Sequence, residues 1–155
     1  MAAQPRMKSQ HTHERHIMTS KTSVSEPSSL VITRALLEAA DTDITRFFGY
    51  FSTNCTFRMG NYEVVRGNQA IAEWVATYLG SVASMRHVIL EEWSDGSVTA
   101  MRVEVTYTMK NGAEFTLPAV TRTRIEDDKV SEYFIFMDPS PVTSAAEAEE
   151  TSASS

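Results

Sequence analysis

The second half of the chain is punctuated by turn signals at near-regular intervals, and these limit its possible folds more than any other feature. Met85 to Trp93 is rich in β-forming residues and ends at Ser94-Asp95-Gly96. Val98 to Met109 ends at Lys110-Asn111-Gly112, Ala113 to Ile125 at Glu126-Asp127-Asp128, and Val130 to Asp138 at Pro139. Asp-Gly and Asn-Gly readily adopt the positive φ of tight hairpin turns, so four consecutive antiparallel strands are predicted.

Ahead of this meander the apolar residues recur at helical spacing. Pro27-Ser28-Ser29 supplies a start, and Leu30, Leu36, Leu37 and Ala40 fall on one face. Asp41-Thr42-Asp43 caps a second, shorter helix with Ile44, Phe47, Phe48 and Phe51 in one stripe. Cys55 to Met59 reads as a short strand ended by Gly60-Asn61, with Val64-Val65 as a pairing partner. Asn68 opens a third helix carrying Ile71, Trp74, Val75, Tyr78 and Leu79 on its buried face, closing at Gly80. Helices on one face of a curved antiparallel sheet make an α+β fold.

The chain's 155 residues, 42% of them hydrophobic and 22% charged, are enough for one globular domain. Residues 28–143 hold every periodic segment. Residues 1–27 are polar and predicted to be a disordered leader, whose His11-Thr12-His13-Glu14-Arg15-His16 run is either a metal-binding tract or part of a polar tail. Residues 144–155, small and acidic, are predicted to be a disordered tail.

A net charge of −6 removes the electrostatic basis for nucleic-acid or anionic-membrane binding. The single cysteine, Cys55, allows neither an intrachain disulfide nor a thiolate metal cage. No run approaches the ~18 apolar residues of a membrane helix, and no apolar stretch follows the basic residues at the N-terminus, so a cytoplasmic protein is expected. The glycine-rich dinucleotide and phosphate loops, the zinc-protease pair and the serine-hydrolase elbow are missing from the sequence.

Two strands carry candidate chemistry. Along Val98–Met109, Arg102, Glu104, Thr106 and Thr108 share one face, and Met101, Val103, Val105, Tyr107 and Met109 the other. The charged face either meets solvent or lines a cavity. On the preceding strand, strict alternation groups His87, the one histidine outside the leader, with Ile89, Glu91 and Trp93. His87 is either a satisfied core residue or, if it faces Arg102 and Glu104, one member of an acid–base trio. Asp138 is either a strand-end cap or a further carboxylate at the same mouth.

The run Met85-Arg86-His87-Val88-Ile89-Leu90, with Asp95-Gly96, Arg102-Val103-Glu104-Val105, Lys110-Asn111-Gly112, Leu117-Pro118 and Tyr133 to Pro141, resembles SnoaL-like proteins of the nuclear transport factor 2 superfamily. The resemblance spans Ser28 to Pro141. It implies a cone: a strongly bent antiparallel sheet around three N-terminal helices, with an apolar pocket at the open end. It also implies a homodimer through the outer sheet face, which would then be the one carrying Met101, Val103, Val105 and Tyr107.

Three activities in that superfamily offer templates, none needing a metal or organic cofactor. Arg102-Val103-Glu104 is similar to the Arg-x-Asp pair of limonene-epoxide-hydrolase-like enzymes, whose second Asp falls here on Ile135 and whose water-holding Tyr and Asn fall near Phe57 and Met59. The catalytic His of scytalone-dehydratase-like enzymes corresponds in position to His87. The Asp base of ketosteroid-isomerase-like enzymes is replaced by the segment Phe57-Arg58-Met59.

The resemblance therefore implies a cofactor-free isomerase, dehydratase, cyclase or hydrolase acting on a small apolar polyketide-like or terpenoid-like molecule. Glu104 would be the general base or acid, His87 its proton partner and Arg102 the orienting cation, with Asp138 in reserve. Tyr62, Phe57, Met59, Trp74 and Ile135 would contact substrate. The alternative is a non-catalytic module that binds an apolar ligand or a protein.

Overall fold

A computed structural model describes residues 25–154. Residues 1–24, including the His11 to His16 run, lie outside the described residues. The elements follow in the order α1 (Ser28–Thr42), α2 (Ile44–Gly49), β1 (Phe51–Met59), β2 (Val65–Arg66), α3 (Asn68–Tyr78), β3 (Val82–Asp95), β4 (Val98–Met109), β5 (Glu114–Glu126), β6 (Lys129–Phe136) and α4 (Ser140–Ala153).

The six strands form one open, mixed sheet in the order β2-β1-β6-β5-β4-β3. Only β1 and β6 run parallel; β3 to β6 are the expected antiparallel meander. Its turns use the backbone that the sequence offered: Gly96 and Gly112 have φ of +58° and +90°, and Asp127 and Asp128 have +51° and +58°.

The helices cover the opposite face of β4 from the one expected. Met101, Val103, Val105, Tyr107 and Met109 are buried, whereas Arg102 and Glu104 are exposed. The inward residues pack with Leu37 of α1 and Val142 of α4. A second cluster joins Leu36, Phe47, Phe51, Phe57, Ile71, Val75 and Tyr133. The apolar face of β4 is therefore the inside of the cone and forms no subunit interface. Strand alternation separates two faces but does not say which one helices will cover, and the cost of exposing five large apolar side chains decides it.

β3 contains a bulge. Ile89 pairs with Val103 while Glu91 pairs with Arg102, so Leu90 has no partner and the alternation inverts there. His87 and Ile89 face inward, but Glu91 and Trp93 face out, contrary to strict alternation. Past the bulge Glu92, opposite Met101, reaches α1: Arg34 Nε and Nη2 donate to its two oxygens at 2.6 Å each. This bidentate pair ties α1 across the sheet edge.

The acidic C-terminal segment is also not what its composition suggested. Residues 140–153 form α4, with Pro139 at the N-cap and Pro141 at the start. Ala145, Ala146 and Ala148 with interleaved glutamates are strong helix formers, and Val142, wholly buried, anchors the helix. No helix among the described residues is long and apolar enough to cross a membrane.

Candidate functional site

The first turn of α2 and the last turn of α1 meet the start of β3 at one end of the cone, and there His87 turns inward. Its Nδ1 lies 2.6 Å from Asp41 Oδ1, and its backbone N–H donates to Asp41 Oδ2 at 2.8 Å. Both side chains are largely enclosed, at 10% and 17% exposure. A carboxylate can only accept from the ring, so Nδ1 carries a proton, and in the neutral form of the ring Nε2 is the nitrogen left to accept one.

His87 lines a cavity of about 40 Å³. Its walls are otherwise apolar or phenolic, and Phe47, Phe57, Met59, Met85 and Ile135 are among the residues that line it. Three tyrosines join them from different elements: Tyr78 of α3, Tyr107 of β4 and Tyr133 of β6. The Tyr78 hydroxyl donates to that of Tyr107 at 3.3 Å, and Tyr107 donates to Met137 Sδ at 3.9 Å. The Tyr133 hydroxyl makes no hydrogen bond among the described residues. Burial holds all three phenols well above the ordinary tyrosine value, so they are protonated hydrogen-bond donors.

The expected acid–base trio does not assemble. Glu104 stands opposite Val88 and Pro118 on the outer face, while His87 stands opposite Val105 on the inner one. Arg102 pairs with Glu91 at 3.2 Å, both about half exposed, which makes it a solvated surface pair of little energetic weight. Asp138 is exposed and, just ahead of α4, accepts the Ser140 N–H at 3.0 Å, and that hydrogen bond holds its carboxyl below the ordinary range. Of the expected substrate contacts, Phe57, Met59 and Ile135 do line the cavity with His87. Trp74 and Tyr62 stand outside it, ring against ring at 5.3 Å, on a groove between α3 and α4. Cys55 is buried and its thiol is pushed up by desolvation, the state of a packing residue.

Asp41 is the residue that sequence reasoning missed. The sequence groups it with Asp43 as a helix cap; Asp43 does cap α2, accepting the Arg46 N–H at 3.1 Å, but Asp41 turns to His87 instead. One signal was available. An acidic residue in the last turn of a helix sits at the negative end of the helix dipole, which is unfavourable without a partner that can carry positive charge. Among the described residues no group of three or more His, Cys, Asp or Glu side chains is placed to hold a metal ion.

Residues 33–133 match the SnoaL-like domain. The chain belongs to this family. Several solved structures share the SnoaL-like fold at low identity. An epoxide hydrolase of the limonene-epoxide-hydrolase-like type from M. tuberculosis superposes with a TM-score of 0.64 at 12% identity, over 72% of this chain and 83% of that one. A candidate SnoaL-like polyketide cyclase from Jannaschia sp. CCS1 gives 0.66 at 15%, over 76% and 90%. A protein with a ketosteroid-isomerase-like fold from Catenulispora acidiphila, solved with trimethylamine, gives 0.63 at 17%, over 72% and 88%. No curated protein matches by sequence. At these identities the likeness establishes the shared α+β cone, and the chemistry of this SnoaL-like domain has to be argued from its own cavity.

Proposed function

We propose that this SnoaL-like domain is a cofactor-free acid–base enzyme of the isomerase, dehydratase or cyclase type, acting on a small and largely apolar molecule. The observation that carries this reading is the His87–Asp41 pair, 2.6 Å apart, in a cavity otherwise walled by apolar and phenolic side chains. Asp41 keeps the proton on Nδ1 and fixes the ring, so Nε2 is set to take a proton from a carbon or hydroxyl of the bound molecule. The imidazolium that results is stabilised by the same carboxylate.

An oxygen that gains negative charge as the proton leaves needs a donor, and Tyr133, whose hydroxyl has no partner among the described residues, is the first candidate. Returning the proton from His87 to another carbon completes an isomerisation; returning it to a departing hydroxyl completes a dehydration. Epoxide opening by an Arg-x-Glu pair is not favoured, because Arg102 and Glu104 face away from this cavity. A polyketide-like or terpenoid-like ring system matches the chemistry of the apolar walls, and its entry requires them to move apart.

The second reading, a non-catalytic module for an apolar ligand, draws on one observation: at about 40 Å³ the cavity holds a few waters unless its walls move. Turnover separates the two. With a panel of enolisable cyclic ketones and β-hydroxy ketones, wild type and Glu104→Gln should react alike, and His87→Gln should lose ~10²–10⁴-fold in kcat/KM. Equal turnover by His87→Gln overturns the proposal, and no turnover of any compound by wild type favours the binding module.

The outer sheet face is the dimer surface in this proposal. With the helices on the inside, it is the face left uncovered, and it exposes Val88, Leu90, Trp93 and Phe136, the last at 61%. The cross-strand row Glu91, Arg102, Val120 and Phe136 places an acidic, a basic and two apolar residues side by side, a set that a two-fold copy could meet with its own.

A further inference from the structure

The cavity around His87 backs onto a larger cleft of about 430 Å³, bounded by the end of α1, α2, the end of α3 and the first residues of β3. Five residues line both spaces: Ala40, Ile44, Val75, Leu79 and Met85. Three of them sit at element ends or have flexible side chains. Ile44 begins the six-residue α2 and is 41% exposed, Leu79 is the C-cap of α3 just before Gly80, and Met85 is an unbranched, readily repacked side chain. On the other side a groove of about 520 Å³ between α3 and α4 meets the cavity through Tyr78 alone. That side is shut: the Tyr78 ring stacks on Trp74 at 5.4 Å and its hydroxyl donates to Tyr107.

The cleft also has a charge. Asp41 and Asp43 line it, and among the described residues no lysine or arginine lines either the cleft or the cavity. The two basic side chains nearest to them in sequence point elsewhere: Arg86, between Met85 and His87, is exposed on the outer face opposite Thr106, and Arg46 is directed to Glu38 at 3.7 Å.

We propose that the cleft beside Asp41 is the way in to His87, that Ile44, Leu79 and Met85 form its gate, and that its acidic rim admits neutral or cationic organic molecules in preference to anions. The proposal rests on reading the cavity as the reactive site. An anion passing within several ångströms of the largely enclosed Asp41 carboxylate and the exposed Asp43 carboxylate is disfavoured by about tenfold at low salt, so acyl-phosphates, nucleotide thioesters and free carboxylates are the wrong class of substrate. A neutral ketone or an amine-bearing ring is the right one.

Access can be read without knowing the substrate, from the rate at which diethyl pyrocarbonate, a small neutral reagent, carbethoxylates His87. Peptide mass spectrometry separates His87 from His11, His13 and His16. Ala83→Trp fills the cleft from β3 and should slow the reaction by about tenfold or more, whereas Ala146→Trp fills the α3–α4 groove and should leave the rate within about twofold of wild type. If circular dichroism shows Ala83→Trp to be misfolded, Ala76→Trp fills the same cleft from α3. N-phenyl-1-naphthylamine should protect His87 about tenfold better than its anionic analogue 8-anilinonaphthalene-1-sulfonate, and Asp43→Asn, which keeps the cap, should narrow that gap.

Slowing by Ala146→Trp instead, no slowing by either, an unreactive His87 in the folded protein, or equal protection by the two dyes each overturn the proposal. None of these touches the catalytic reading, which stands or falls on turnover by wild type against His87→Gln. Access by this route without turnover would overturn that reading alone.

Discussion

One carboxylate holds both the ring and the main chain of the same histidine: Asp41 Oδ1 is 2.6 Å from His87 Nδ1 and Asp41 Oδ2 is 2.8 Å from the His87 backbone nitrogen. A helix end and a sheet-edge strand are thereby locked together at the histidine that the proposed mechanism uses as its base. Asp41→Asn keeps an acceptor for the main chain but turns an amide toward the ring, which reverses the tautomer. The expected result is a fall of ~10²-fold or more in kcat with KM little changed, because Asp41 positions the base and does not touch the substrate. Steady-state kinetics with any turned-over ketone measures it.

Stability should report the Arg34–Glu92 clamp between α1 and β3. The hydrogen bond from Arg34 is the main cause holding Glu92 below its ordinary value of 4.5. A carboxylate whose folded-state value is depressed contributes stability that is fully present above its ordinary value and is lost as pH falls through the depressed one. Glu92→Gln should therefore be less stable than wild type in urea at neutral pH, with the difference shrinking as pH drops below about 4.5. A difference that persists unchanged into acid would contradict the assignment.

Gly60 and Gly96 make a matched pair for backbone strain. Their φ values are +51° and +58°, but a Cβ on Gly60 would lie 2.7 Å from the Met137 carbonyl oxygen, and one on Gly96 meets nothing within 4 Å. Gly96→Ala should cost about 1 kcal/mol for the left-handed conformation alone. Gly60→Ala should cost about 1–2 kcal/mol more, because the junction of β1 with the end of β6 has to shift. Equal losses of Tm would mean that the junction yields freely.

Phe136→Glu tests the outer face as the dimer surface. Sedimentation velocity should give a dimer for wild type and a monomer for the variant, while Thr108→Glu, toward the far end of β4, has a smaller effect. Unchanged sedimentation by Phe136→Glu removes this face from the interface.

Much of the fold could be read from local chemistry. The Asp95-Gly96, Asn111-Gly112 and Asp127-Asp128 turns specify positive φ, and the structure places each at a hairpin. The stripes Leu36, Leu37 and Ile71, Val75 likewise announced their helices. What could not be read depended on contacts far apart in sequence. The covered face of β4 was decided by burial against Leu37 and Val142, and the bulge at Leu90 moved Glu91 and Trp93 to the opposite side from His87. Asp41 meets His87 across 46 positions of chain. Arg102 and Glu104, whose spacing matched a known pair, proved to be solvated because spacing carries no information about which side of a sheet is dry.

The most direct test of the account is the tautomer of His87, read by long-range nitrogen-15 correlation NMR on the full-length protein at mildly alkaline pH. The account predicts a proton on Nδ1 and a bare Nε2 in wild type, reversed in Asp41→Asn and untouched in Glu104→Gln. A wild-type His87 protonated on Nε2, or one whose tautomer ignores Asp41, would contradict it.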